Sequence, residues 1–276
     1  MSRSEHIARS ITKTYRKSIW TPFLTAVKRY ELISENDSIA VCISGGKDSM
    51  LLALLIKMLQ AHSDFPFEVK YLVMDPGYKP ENLEEIKKNA ELLDIPINIF
   101  STNIFNVTYK QEKSPCYLCA KMRRGYLYKF AKELDCNKIA LGHHFNDVIE
   151  TVVMGMFYSS ILSTMPPKLH SKNFEGMQLI RPIYCVREQD IIRWKNYNSL
   201  EFLQCACRFT EQSELNEELS KRKEIKNLIK SLKKTNPNIE KSIFNSIHSV
   251  NIDTFPMYKS DDVYYSFLEK FNKEKD

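Results

Sequence analysis

Apolar residues recur at roughly helical spacing through the first stretch of the chain, at Ile7, Ile11, Ile19, Phe23, Leu24 and Val27. That spacing predicts a helical leader over residues 4–33, with Pro22 breaking the run. The pattern then becomes an alternation. SIAVCIS (38–44) is a short apolar run that predicts a buried strand, and residues 46–62 predict an apolar helix. FEVKYLVMD (67–75) predicts a second strand, and KPENLEEIKKNAELLD an exposed helix. INIFST (97–102) is a third strand, followed by a helix with a basic start over 117–135. KIALGH (138–143) and QLIRPI (178–183) are further strands, trailed by the helices FNDVIETVVMGMFYSS and REQDIIRWKNYNS. Strands alternating with helices predict parallel βαβ units with right-handed crossovers. The expected fold class is α/β: a parallel twisted sheet with helices on both faces and helical extensions at each end. From about residue 212 the chain is helical, lysine-rich and broken at Asn236-Pro237, and its last residues read as frayed. The expected organisation is a helical region at 1–35, an α/β domain at 36–211 and a basic helical region at 212–276.

Composition narrows the function classes. The net charge of +6 permits a nucleic-acid partner without requiring one. No stretch is long and apolar enough to span a membrane, and the N-terminus lacks the apolar core of a signal peptide. The expectation is a cytoplasmic protein. In that compartment seven cysteines read as core residues, metal ligands or redox groups rather than structural disulfides.

Only 7 glycines occur in the chain, so the Gly45-Gly46 pair stands out. Ser44-Gly45-Gly46-Lys47-Asp48-Ser49 lies where the first strand becomes a helix. In an open parallel sheet, ligands collect at the C-terminal ends of the strands. A helix N-terminus there offers unpaired N–H groups to an anion, and glycine lets backbone approach a phosphate. The spacing is neither that of Walker A nor that of the dinucleotide fingerprint. Asp75 ends the second strand, where it could line a nucleotide site or cap a turn. Gly142-His143-His144-Phe145-Asn146-Asp147 follows the fourth strand, and Asp147 is placed to bind Mg²⁺. The two histidines read as packing and hydrogen-bonding residues.

Cys116-Tyr117-Leu118-Cys119 lies at a predicted helix start with Lys121, Arg123 and Arg124 nearby, a setting that favours thiolates. Gln204-Cys205-Ala206-Cys207 could fold back over the same edge. On spacing alone, zinc, an iron–sulfur cluster and a redox pair all remain open. Cys42 and Cys136 read as core, and Cys185 is left between the two groups.

The loop at 44–49 resembles the pyrophosphate loop of the ATP pyrophosphatases. The chain more widely resembles the 2-thiocytidine-forming tRNA sulfurtransferases of that PP-loop group. The likeness rests on C-x-L-C-x-x-x-R-R-G at 116–125, K-I-A-L-G-H-H at 138–144, M-F-Y at 156–158, M-P-P-K-L at 165–169 and I-R-P at 180–182. It covers roughly residues 20–250. The resemblance implies that ATP is cleaved to AMP and pyrophosphate, bound by Ser44, Gly45, Gly46, Lys47, Asp48, Ser49, Asp75 and Gly142. Lys47 and Asp147 would be catalytic, with Mg²⁺ on Asp147. It implies a [4Fe–4S] cluster on Cys116, Cys119 and Cys205, with Cys207 as alternative. The family's second cysteine motif is Cys-x-x-Cys, whereas this chain has Cys-x-Cys; it also has Phe145-Asn146 where Arg-Asp is more usual. The implied reaction adenylates the C2 oxygen of a cytidine, at tRNA position 32, and replaces it with sulfur. The implied partners are tRNA, a sulfur donor such as a cysteine desulfurase, and a second copy in a homodimer. Arg123, Arg124, Lys168 and the lysines between 221 and 234 are candidates for RNA contact. The competing readings are thiolation of another base such as uridine, and an ATP-binding four-cysteine zinc protein with a regulatory role.

Overall fold

The computed structural model describes residues 1–108, 115–203 and 217–273. They form two compact units, Met1–Lys226 and Asn227–Asp276. The first opens with α1 (Arg3–Thr12), a π-helical turn at Arg16–Trp20 and α2 (Thr21–Arg29). Pro22 stands in the first turn of α2, where a missing N–H costs nothing, so it starts this helix. Ile7, Ile11, Ile19 and Phe23 are all buried. The Tyr15 hydroxyl donates to Arg193 O at 3.0 Å, and Asn198 Nδ2 donates to Ser10 Oγ at 3.1 Å. The leader is therefore part of the packed body.

The alternation that follows is β1 (Ser38–Ile43), α3 (Lys47–Gln60), β2 (Glu68–Asp75), α4 (Pro80–Leu92), β3 (Ile97–Ser101), α5 (Ile104–Thr108), α6 (Pro115–Glu133), β4 (Lys138–Ala140), α7 (Phe145–Tyr158), β5 (Lys168–His170), β6 (Gln178–Ile180) and α8 (Glu188–Tyr197). The sheet order is β3-β2-β1-β4-β6-β5, parallel except for β5, which runs antiparallel to β6. Ile39 to Ile43 are all buried in the central strand. Ala40 and Cys42 pack with Tyr128 and Ala131 of α6. Alternation sends Ile39, Val41 and Ile43 to the other face, where α3 lies. Met50 to Ile56 of α3 are buried without a break, because the helix is enclosed on several sides.

At the N-terminal edge of the sheet, the buried Lys138 Nζ meets Asp37 Oδ2 at 2.6 Å and donates to Leu32 O at 3.1 Å. Asn137 Nδ2 satisfies the other Asp37 oxygen at 2.9 Å. The opposite edge is left for chemistry. Chain order doubles back at β1, with β2 and β3 to one side and β4 and β6 to the other. The crevice between the C-terminal ends of β1 and β4 is the switch point at which such sheets bind ligands.

α9 (Glu217–Thr235) begins in the first unit and ends at the expected Asn236-Pro237 break. The second unit continues with α10 (Ile239–Ser246), a hairpin of β7 (Met257–Ser260) and β8 (Val263–Ser266), and α11 (Phe267–Lys273). Asp261 and Asp262, both at positive φ, make the two-residue turn of that hairpin. Among the described residues no helix is long and apolar enough to cross a membrane.

Candidate active site

The turn after β1 is tied to the first turn of α3 by two hydroxyls. Ser49 Oγ accepts from Ser44 N and lies 3.1 Å from Ser44 Oγ, while donating to Gly46 O at 3.0 Å. Gly45 sits at φ +85°, in the left-handed region, and a Cβ there would come within 2.6 Å of Ile86 Cγ1. Gly46 is the N-cap of α3, and among the described residues no side chain caps the helix. Its first N–H groups are therefore available to an anion.

Gly142, after β4, lies directly on this turn. A Cβ at Gly142 would stand 3.1 Å from Asp48 C and Ser49 N and 3.2 Å from Ser49 Cα. These are backbone atoms, which cannot swing aside. Gly142→Ala should destabilise the fold by about 1–3 kcal/mol and weaken nucleotide binding by deforming the turn. Calorimetric titration with ATP, beside a thermal melt, checks this; native affinity with a native melt would show that the turn yields freely.

A cavity of about 310 Å³ opens at the crevice. Ser44, Ser49 and Gly142 form its polar floor, and Met74, Leu127 and Leu141 an apolar wall. Tyr78, Arg123 and His143 line it too, as do Cys42, Ile43 and Asp48. Arg123 donates to the Tyr78 hydroxyl at 3.1 Å, and its guanidinium lies 5.7 Å from the Phe105 ring centroid. Arg123 thus faces the cavity, whereas Arg124 is exposed. Asp75 turns its carboxylate to its own turn, accepting from Gly77 N at 2.9 Å and Tyr78 N at 2.7 Å. It positions Tyr78. Burial holds the His143 ring down at about 4, with the Arg181 charge adding, so His143 is neutral at pH 7. Its Nδ1 is buried with no hydrogen-bond partner among the described residues.

A second, charged cavity of about 300 Å³ adjoins the first, and Asp48 lines both. Lys47 Nζ lies 3.0 Å from Asp48 Oδ2 and 3.3 Å from Glu188 Oε1. Burial alone would lower the Lys47 pKa, but the two carboxylates outweigh it and the net shift is upward. Asp147 and His144 form a capping box at the start of α7. Asp147 Oδ2 accepts from His144 N at 2.9 Å, and His144 Nδ1 accepts from Asp147 N at 3.3 Å. A neutral His144 ring accepting at Nδ1 carries its proton on Nε2, 3.8 Å from Asp48 Oδ1. Arg222 Nη1 reaches Asp147 Oδ1 at 3.3 Å, and Lys226 Nζ reaches Glu188 Oε2 at 2.5 Å. Phe145 and Asn146 bind the neighbouring helix start: Arg187 stacks 4.5 Å over the Phe145 ring, and Asn146 Oδ1 accepts from Glu188 N at 3.0 Å.

Burial, with Asp147 adding, holds the Glu150 carboxyl up at about 7, against the pull of Arg222 and Lys226. A carboxyl raised in the folded state favours folding at acid pH, and that contribution is lost as pH rises from its ordinary 4.5 through 7. Glu150→Gln should therefore raise the Tm more at pH 8 than at pH 5. Equal shifts at both pH values would show that Glu150 ionises as an ordinary carboxylate.

Cys119 lies in the first turns of the 19-residue α6 and is half-buried. It is near enough to Tyr78 to add to the upward shift of that phenol, which burial dominates. Cys119 is thus in the neighbourhood of Tyr78, which lines the first cavity. The side chain of Cys116 lies outside the described residues, as do Cys205 and Cys207 altogether. Burial pushes the Cys42 thiol up to about 12, and also raises those of Cys136 and Cys185. Cys42 and Cys136 sit in the core beneath α6. Among the described residues, no three His, Cys, Asp or Glu side chains cluster to hold a metal ion.

Lys168 lies apart from the crevice, donating to Glu31 O at 2.9 Å. Sequence reasoning missed Tyr78, Glu188 and Arg222. Glu188 had a usable signal, an acidic first turn on the helix after β6, at the same sheet edge.

Residues 4–213 match the family described as the PP-loop domain. A tRNA-cytidine(32) 2-sulfurtransferase of Neisseria meningitidis is 38% identical over 186 residues, covering 65% of this chain and 57% of the relative. The chain thus spans little more than half the length of that relative. The enzyme of the same name from Geotalea uraniireducens is 33% identical over 230 residues, 82% of this chain and 88% of its own. In Vibrio parahaemolyticus the counterpart is 34% identical, with coverages of 82% and 75%. Among solved structures, the U34-tRNA thiolase NcsA from Methanococcus maripaludis, with its [4Fe–4S] cluster, aligns at TM-score 0.66 and 21% identity, covering 83% of this chain and 77% of its own. That likeness is one of fold. With the family matched over most of the chain and the Geotalea relative over nearly all of its length, the chain belongs to the PP-loop family, in its tRNA-cytidine(32) 2-sulfurtransferase branch.

Proposed function

We propose that the chain is an ATP-dependent tRNA thiolase that converts a cytidine, at position 32, to 2-thiocytidine. The observation that carries the reading is the uncapped glycine turn at the β1/β4 switch point, flanked by Lys47 and Asp147. The apolar wall of the first cavity suits the adenosine, and the turn suits the phosphates. The C2 oxygen of a cytidine is a poor leaving group. Its attack on the α-phosphate makes an adenylate and expels pyrophosphate, whose developing charge Lys47 meets. Asp147 and Asp48 suit a Mg²⁺ ion, which keeps most of its ligands as phosphate oxygens and water and needs only one or two carboxylates. When the old C2 oxygen departs, it leaves on AMP.

Cys119 fits a thiolate ligand, at a helix start beside the cavity. Cys116, one turn earlier, and Cys205 or Cys207 would complete a three-thiolate set. A [4Fe–4S] cluster held there would supply a sulfur nucleophile for C2. The target base must leave its stack to enter, as in other base-modifying enzymes. Arg123, inside the first cavity, is better placed to meet the flipped nucleotide than the outer RNA surface, for which Arg124 and Lys168 are exposed. The reading includes a sulfur donor such as a cysteine desulfurase, a homodimer and a cytoplasmic location.

Nucleoside mass spectrometry of tRNA from a strain lacking this protein tests the reading. Loss of 2-thiocytidine, restored by the full chain, is the expected result. Intact 2-thiocytidine with loss of a thiouridine would move the substrate, and release of ADP in place of AMP and pyrophosphate would overturn the chemistry.

A further inference from the structure

The charged cavity holds more cations than the glycine turn supplies. Three helix N-termini face it, bringing Lys47 on α3, Asp147 on α7 and Glu188 on α8. α9 adds Arg222, Lys223 and Lys226 from the far side. Four carboxyl groups, Asp48, Asp147, Glu150 and Glu188, line the cavity with these cations, and two of them pair with α9. Glu188 has one oxygen on Lys47 at 3.3 Å and the other on Lys226 at 2.5 Å. Asp147 has one oxygen on Arg222 at 3.3 Å and the other on the His144 N–H at 2.9 Å.

A carboxylate bridging two ammonium groups occupies them much as phosphate oxygens would. It does so weakly here. The Arg222 and Lys226 side chains are 41% and 52% exposed, and ion pairs of that kind contribute little and exchange readily. A polyphosphate carries more charge than either carboxylate and would also reach the N–H groups at the start of α3, whose N-cap Gly46 offers no side chain.

We propose that Arg222 and Lys226 of α9 grip the β- and γ-phosphates of ATP, and the pyrophosphate that leaves, from the side opposite the glycine turn. Glu188 holds Lys47 and Lys226 in place until the polyphosphate takes them. This rests on the reading of the turn as an ATP site. It gives the start of α9 a place in the first half-reaction, apart from any contact with RNA.

The test is calorimetric titration of the full chain, at low ionic strength, with inorganic pyrophosphate and separately with AMP. An Arg222→Gln/Lys226→Met double variant should bind pyrophosphate about 100-fold more weakly, about tenfold for each positive charge removed, with AMP affinity unchanged. Glu188→Gln should bind pyrophosphate severalfold more tightly, because its competitor is neutralised. Pyrophosphate binding as in wild type by the double variant, with binding abolished in Lys47→Ala, would sink the α9 grip and leave the ATP site standing. An equal loss of AMP affinity in the double variant would also sink it, as general damage. A wild-type chain that binds neither ligand would overturn the ATP site and the grip together.

Discussion

Replacing Lys47 by alanine should lower tRNA thiolation by about 100- to 1000-fold while leaving the fold and the iron content unchanged. Lys47 opens α3 beside the glycine turn and lines the cavity where pyrophosphate would develop charge. Its present partners, Asp48 at 3.0 Å and Glu188 at 3.3 Å, are both part-exposed, so their loss should move the Tm little. The variant leaves Glu188 paired with Lys226 and Asp147 paired with Arg222, so the cavity keeps its shape. The measurement is AMP and pyrophosphate release in the presence of tRNA, beside an iron assay and an absorption spectrum. Asp147→Ala should behave likewise, with a further cost from the lost capping box at α7. Normal adenylation in both variants would show that the reaction takes place elsewhere. Asp75→Ala should be milder, because Asp75 Oδ1 accepts from Gly77 N and Tyr78 N and so acts through the turn that carries Tyr78.

The second large effect concerns the third iron ligand. Cys205→Ala should lose the [4Fe–4S] cluster and all thiolation, whereas Cys207→Ala should keep most of both. Cys116 and Cys119 are spaced one turn apart on α6 and can serve one centre together. The remaining ligand is expected from the 205–207 pair, with Cys205 first in chain order. The core thiols are poor rivals: Cys42 lines the first cavity but burial pushes its thiol up to about 12, Cys136 is buried beneath α6 with its thiol raised too, and burial raises Cys185 against the weaker pull of Arg29 and Tyr30. Variants reconstituted anaerobically are to be compared by iron content, thiolate-to-iron absorption and tRNA thiolation. The reverse outcome would move the ligand to Cys207 and leave the chemistry intact. Loss in both would mean four protein thiolates and no open coordination position for sulfur delivery. A colourless protein with tightly bound zinc would replace the cluster reading altogether.

The sheet's central strands are legible because each is a short apolar run bounded by turn residues. SIAVCIS and FEVKYLVMD match β1 and β2 within a residue at each end. β5 is hidden because three residues inside a Ser- and Pro-rich stretch carry no period. Only pairing of Lys168 to His170 with Gln178 to Ile180 makes that segment a strand. The β7–β8 hairpin is hidden for a related reason. Its turn is Asp261-Asp262, without the glycine that marks such turns, and the tail reads as frayed. KIALGH reads as strand to residue 143, but β4 stops at Ala140, and the chain then leaves the ladder to lay Gly142 on the α3 turn.

By itself the sequence determined the α/β alternation, the anion-ready turn at 44–49 and the thiol pair at the start of α6. Each depends on neighbours a few residues away: side-chain period, glycine conformation, an open helix N-terminus. The tertiary structure alone decided which charges meet at that turn. Lys47 reaches Glu188 across 141 residues of chain, Asp147 reaches Arg222 across 75, and Glu188 reaches Lys226 across 38. No local rule joins such pairs. They come together because the strand order brings the starts of α3, α7 and α8 to one sheet edge, and because α9 returns there with its basic face. The same packing turned Arg123 into the cavity, onto a Tyr78 hydroxyl 45 residues away, since the side chain's surroundings, not its spacing, set its direction.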